Sequence, residues 1–311
     1  MSFWRAATIK GNTSSRSKKL FRRFPCVAAG KTRLISAPVS AILRAVNALR
    51  EPSFAWEPLT PRGVAAFARA SFERLFIVQS LFALLAAGSV AWLLSDGIFP
   101  VIDAAIDHLP DSGSIHGGML DWHGDPAVML AEGRILAINV DLDHGGTLRS
   151  PADFQFEFGR DDLAIFSLFG EADVDYPTGC VIAANRGDAR PAWGAWSPDL
   201  VGLGAIATFF GLMLLWAALA TVYFLPVWLI CFFANRDLNF RASWKLAAAA
   251  LMPGAALMSL ALLFYDWGGF NLVQLCFAFG MHLVIGWIYL FVSPLFLNRA
   301  VPAGKKNPFL D

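Results

Sequence analysis

Charged residues make up only 16% of this 311-residue chain, well below the roughly 25% usual for a soluble protein. Cysteine is scarce as well. Of Cys26, Cys180, Cys231 and Cys276, only Cys180 falls in the long polar stretch at the middle of the chain. No disulfide can therefore form within that stretch, and its fold must rest on a core. Catalytic signatures are absent: there is no Ser/His/Asp or Cys/His set and no nucleic-acid-binding pattern. Lys10-Gly11-Asn12-Thr13 and Gly30-Lys31-Thr32 lack the spaced glycines of a phosphate loop. The first 37 residues contain no acid and no apolar run of the roughly 7–15 residues a secretory signal needs, because Lys31 interrupts Cys26–Gly30. The Arg22-Arg23 pair fails as a twin-arginine signal for the same reason. A disordered basic tail over 1–37 is expected.

Apolar residues are abundant: 56% of the chain, with 27 Phe and 11 Trp, bunched into runs long enough to cross a bilayer. The first run is Leu75–Leu94, in which Ala83, Ala87 and Ala91 form a row of small residues that lets a neighbouring helix approach closely. The second, Leu200–Ala234, contains no charge. It reads as one helix, capped at Ser197-Pro198 and kinked near Pro226, because a hairpin there would export the basic residues that follow. Leu246–Tyr265, with Pro253-Gly254 as a kink site, and Leu272–Leu297 complete four spans. The short acidic segment 266–271 between them reads as an outer turn.

Charge orients these spans. Ser95–Pro198 together with the adjoining Asp199 holds 18 Asp and Glu against five Arg. The other basic residues number 14 before the first span, three between the second and third, and three after the fourth. By the positive-inside rule both termini lie inside and the acidic insert outside. The chain accordingly divides into the basic tail 1–37, an interfacial lead 38–74, spans at 75–94, 199–234, 246–265 and 272–297, the insert 95–198, an inner loop 235–245 and a basic tail 298–311. In the lead, Val39, Ile42, Leu43, Val46 and Leu49 recur at helical spacing, Phe54-Ala55-Trp56 supplies an aromatic anchor, and Thr60-Pro61 starts a helix expected to run on into the first span.

Within the insert the period changes to two. Asp153-Phe154-Gln155-Phe156-Glu157-Phe158 alternates strictly, which predicts a strand with phenylalanines on the core face and Gln155 and Glu157 toward solvent. Gly159-Arg160-Asp161-Asp162 then turns the chain into Leu163–Leu168 as a hairpin. The fold class expected is an integral membrane α-helical bundle of four transmembrane helices carrying a small antiparallel β-rich extracytoplasmic domain.

This layout is an amphipathic lead, one span, an insert with glycine-marked strands (Ile115-His116-Gly117-Gly118-Met119-Leu120, and Leu163–Gly170 ahead of Asp175-Tyr176-Pro177) and a block of closely spaced spans. It resembles a family of uncharacterised bacterial multi-pass inner-membrane proteins, some encoded near maltodextrin-utilisation genes. The resemblance covers about Pro38 to Asn298. It implies location and architecture, and brings no catalytic motif.

Four of the five histidines lie in the insert. His116, Asp121, His123, Asp125, Asp143 and His144 are candidate ligands for a divalent metal, since imidazole and carboxylate suit Zn²⁺. Their spacing matches no zinc signature. Asp121–Asp125 reads equally as a polar turn, and Asp141–Gly146 lacks the later glutamate of a calcium loop. In the fourth span, Gln274 and His282 are the strong hydrogen-bonding side chains, and His282 is expected to bond a neighbouring helix. The expectation is a non-enzymatic cytoplasmic-membrane protein without a cofactor, accessory or sensory, whose partners are the bilayer and a membrane or envelope protein. A metal-dependent envelope enzyme and a transport component are the alternatives.

Overall fold

The computed structural model describes residues 56–299. The basic tail 1–37, the amphipathic segment Pro38–Arg50, most of the aromatic anchor and the C-terminal tail from Ala300 lie outside the described residues. Four helical stretches are long and apolar enough to cross a membrane: Phe72–Asp107, Arg186–Phe233, Phe240–Asp266 and Leu272–Phe296.

Helix α1 (Pro61–Phe67) begins as the sequence implies. Thr60 is its N-cap, accepting a hydrogen bond from the Gly63 amide, and Pro61 stands at the first turn, where a missing donor leaves nothing unsatisfied. It does not run into the first span. The chain turns at Ala68–Ala70, and Ser71 caps a new helix, α2 (Phe72–Trp92). That helix does not stop where the apolar run stops. It passes through one π-helical turn, Leu93–Ile98, into α3 (Phe99–Asp107), so the acidic insert opens with helix.

The insert closes in the same way. Helix α4 (Arg186–Phe233) is capped by Asn185 and keeps Pro191, Pro198 and Pro226 inside one continuous helix. Ser197-Pro198 is thus no cap, and the single-helix reading of Leu200–Ala234 holds. Its 48 residues rise about 72 Å, more than twice a hydrocarbon core of about 30 Å. The first turns of α4 run beside α3, where Arg190 pairs with Asp103 at 2.6 Å and Arg186 approaches Asp107 at 3.8 Å. Phe99 meets Trp193 edge-on at 4.9 Å. The drop in hydropathy at Ser95 and Pro198 marks a change of surroundings for these helices, and their hydrogen-bond ladders continue across it.

The third long stretch breaks at Leu251 into α5 (Phe240–Ala250) and α6 (Met252–Asp266), with Pro253 in the first turn of the second piece. It is the most enclosed of the four. Leu246 through Ala250 and Met252 are fully buried, packed with Leu75, Val78, Ala220 and Val227 from α2 and α4. Ala83 and Ala87 of the small-residue row are buried, as that spacing implies. Gly254 brings α6 close against α7 (Leu272–Val292), because a Cβ there would press on the His282 carbonyl.

Between α3 and α4 lie two sheets. The smaller runs β2 (Met119–Trp122), β1 (Gly113–His116), β8 (Ile182–Ala183). The larger runs β3 (Ala127–Glu132), β4 (Leu136–Asp141), β5 (Phe154–Phe158), β6 (Asp162–Ser167), β7 (Gly170–Asp175). The β5–β6 hairpin has the expected register, with Phe158 opposite Leu163. The all-antiparallel expectation is corrected at one pair: β4 and β5 are parallel. The 142–153 connection supplies the dozen or so residues that a parallel crossover needs.

Candidate functional site: a buried polar cluster beside a cleft

The alternation along β5 is real, but its polar face is the better buried one. Gln155 is 3% exposed and Glu157 fully buried, whereas Phe154, Phe156 and Phe158 are half-buried. The phenylalanines pack with Ile102, Ile115 and Leu120 of α3 and the small sheet. The opposite face is covered by the 142–153 crossover, which no periodicity in β5 announces. The expectation that Gln155 and Glu157 face solvent is therefore wrong, because strand period assigns faces without saying what lies over each.

Buried polar atoms must find partners, and these find one another. Gln155 Nε2 donates to Asn139 Oδ1 at 2.9 Å and to the Leu148 carbonyl at 2.7 Å. Asn139 Nδ2 donates to Glu157 Oε2 at 3.1 Å. Arg149 comes within 3.6 Å of the same carboxylate oxygen while stacking 3.7 Å from the centre of the Phe166 ring. On strand β4, Asp141 Oδ2 accepts from the Gly146 amide at 3.1 Å and so ties down the start of the crossover.

His144 completes the cluster. Its Nδ1 lies 2.9 Å from Glu157 Oε1 and its Nε2 2.7 Å from Asp162 Oδ1. Both ring nitrogens thus face carboxylate oxygens, an arrangement that favours the protonated imidazole, which alone can donate from each nitrogen. The Glu157 hydrogen bond, with that of Asp162, raises its pKa above the ordinary 6.5 against the opposing effect of burial. The backbone reaches this position in the left-handed region, φ 48°, a conformation unfavourable for a side chain and held by its surroundings. Gly159 is part of those surroundings: a Cβ there would overlap the imidazole. Nearby, Tyr176 donates to the Gly159 carbonyl at 3.1 Å, and its own ionisation is pushed up by burial and by Asp162 and Asp161.

Beside this cluster is a cleft of about 420 Å³. Arg149, Ser150 and Gln155 form one wall, Ser167 at the end of β6 and Leu168 in the turn after it another, and Asn271–Val273 at the start of α7 the third. The insert is clamped to the helices here. Arg134 donates to the carbonyls of Tyr265, Asp266 and Phe270 in the α6–α7 turn and covers the Tyr265 ring at 4.8 Å. Tyr265 in turn donates to Asp153 at 2.7 Å. Ile135, Tyr265 and Leu272 are buried together beneath these bonds.

The sequence-derived candidates separate in space. His116, Asp121, His123 and Asp125 belong to the β1–β2 hairpin and its exit, where His116 bonds Ser114 at 3.1 Å, His123 lies 3.9 Å from Asp121 and the Asp125 carbonyl accepts from Trp122 at 2.8 Å. Asp143 pairs with Arg160 at 3.6 Å on the crossover side. Only His144 enters the cluster, where both its nitrogens point at carboxylates. Among the described residues no three His, Cys, Asp or Glu side chains converge in a geometry suited to a metal. Gln274 is a capping-box residue: its side chain accepts from the Asn271 amide while Asn271 accepts from its own. His282 bonds the Phe279 carbonyl of its own helix, not a neighbouring one.

Asn139, Arg149, Glu157, Asp162, Arg134 and Asp153 were missed as site residues. A signal for some of them was the scarcity of arginine in the insert. Each of its five arginines makes an ion pair, to Asp153, Glu157, Asp143, Asp107 and Asp103 in chain order. No protein-family model, no curated protein and no solved structure matches this chain.

Proposed function

We propose that the chain is an accessory or sensory protein of the cytoplasmic membrane, without catalysis of its own, that offers its insert on the outer face to a partner protein or envelope ligand. Both termini lie inside in this reading. The charge distribution supports that orientation, since the insert is strongly acidic and the segments flanking the spans are basic. The observation that carries the functional part is the cleft at the joint. Its walls come from the insert and from the start of α7 alike, so an occupant touches both, and whatever shifts Arg149 or the crossover bears on the helices through the Arg134 clamp.

Two experiments test this. Cys180 is exposed within the insert and serves as a native reporter: an impermeant maleimide applied to intact cells labels it, whereas a cysteine placed at Asn235 stays unlabelled. Labelling at Asn235 reverses the orientation. For the binding role, a photo-crosslinker at Leu168 on the cleft rim gives an adduct of defined mass in host membranes, suppressed by Ser167→Trp. The same crosslinker at Leu214, which is 72% exposed on α4, does not give it. Equal adducts at both positions would remove the case for the cleft.

A further inference from the structure

A second cavity, of about 310 Å³, lies within the bundle, bounded by α2, α4, α6 and α7. Leu215, Leu283 and Trp287 line it while remaining about half exposed, so its mouth opens sideways, toward the surroundings of the helices. No Lys or Arg lines it, and a charged head group there would be buried without a counter-ion.

Its few polar groups are nearly all occupied. Thr208 donates to the Gly204 carbonyl at 2.8 Å and Ser259 to the Ala255 carbonyl at 2.9 Å. Trp287 Nε1 donates to the Tyr223 hydroxyl oxygen at 3.2 Å. His282 Nδ1 faces the Phe279 carbonyl, which only accepts. The proton of a neutral imidazole must therefore sit on Nδ1, which leaves Nε2 as a bare acceptor. Among the described residues Nε2 has no partner, and the Tyr223 O–H is likewise free to donate.

One acceptor and one donor at an otherwise apolar wall, with the mouth open to lipid, specify a ligand. We propose that this cavity binds a neutral single-chain lipid alcohol whose hydroxyl donates to His282 Nε2, with the Tyr223 hydroxyl on the same lining as a further polar contact. His282 sits near the middle of Leu272–Phe296, at a depth where a lone hydroxyl is poorly solvated unless it is bound. A phospholipid fits badly, because its charged head would have to leave the interface.

The test uses the full-length protein in lipid nanodiscs, with a diazirine-bearing farnesol and its methyl ether as probes; the ether keeps the chain and the acceptor but cannot donate. The alcohol should label peptides of α4 and α7 about five to ten times more than the ether, the size of one hydrogen bond. His282→Leu should bring the alcohol down to the level of the ether, while His282→Gln, whose amide oxygen accepts, keeps the preference. Equal labelling of the wild type by both probes means that any apolar chain fills the space, and overturns the proposal. So does a preference for the alcohol only at peptides outside α2, α4, α6 and α7, the helices that bound the cavity. Should the Leu variant fail to fold, the wild-type and Gln comparisons still decide.

Discussion

Gln79, Ser89, Thr208 and Ser259 in the long helices each hydrogen-bond a backbone carbonyl, all but Gln79 on their own helix. In the insert, Asn139, Gln155, Glu157 and His144 bond to one another across strands β4 and β5 and the crossover. A span satisfies its backbone and most of its side chains within one segment. The insert does so only when three separate segments have met. Losing one polar group should therefore matter little in the helices and a great deal in the insert.

Among losses of a single polar group, the largest effect is expected at Glu157. Replacing it with Leu leaves Arg149, His144 and Asn139 facing a hydrocarbon chain, and should lower the stability of the insert by about 3 kcal/mol, the lower end for a broken buried ion pair because Arg149 can turn to water. Thermal unfolding followed by β-type circular dichroism measures it. A loss under about 1 kcal/mol, in the range of surface pairs, would break the contrast between the two regions.

An intermediate effect should appear with pH. His144 has a raised pKa, so its contribution is complete below the unfolded value of 6.5 and is lost as pH rises through the folded value. The insert should melt at progressively lower temperature from pH 6.5 upward, and His144→Gln should flatten that slope. An unchanged slope in the variant would place the titrating group elsewhere.

The smallest effect is expected in the bundle. Gln79 is buried and donates to the Ala248 carbonyl at 3.4 Å, yet Gln79→Leu should cost about 0.6 kcal/mol, the average for side-chain hydrogen bonds between membrane helices. A penalty there as large as that at Glu157 would mean that the two regions do not differ.

The same contrast governs what the sequence could reveal. Four long helices, the Ala83–Ala87 contact face and the Thr60-Pro61 start could be read from residues in one segment, because the forces that shape them act within it. The β5–β6 hairpin was readable for the same reason. The continuation of helix past Ser95 and back to Arg186 was not, since hydropathy reports surroundings and not the hydrogen-bond ladder. Nor was the parallel β4–β5 pairing or the burial of Glu157, both of which depend on where the 142–153 crossover lies. Gln274 misled because an amide in an apolar run looks like a buried polar group, while the capping box that explains it needs Asn271 at the helix start.

The most direct measurement is the melting temperature of Gln155→Asp. A strand with Gln155 toward water tolerates the change almost freely. The structure puts the new carboxylate beside Glu157, which Gln155 now approaches to 3.3 Å, and takes away the donor to Asn139 and Leu148. The loss should reach several kcal/mol by burying a second like charge without a partner, and it should shrink when Glu157→Gln is added. A Gln155→Asp protein as stable as the wild type would contradict the buried polar face on which this account of the insert rests.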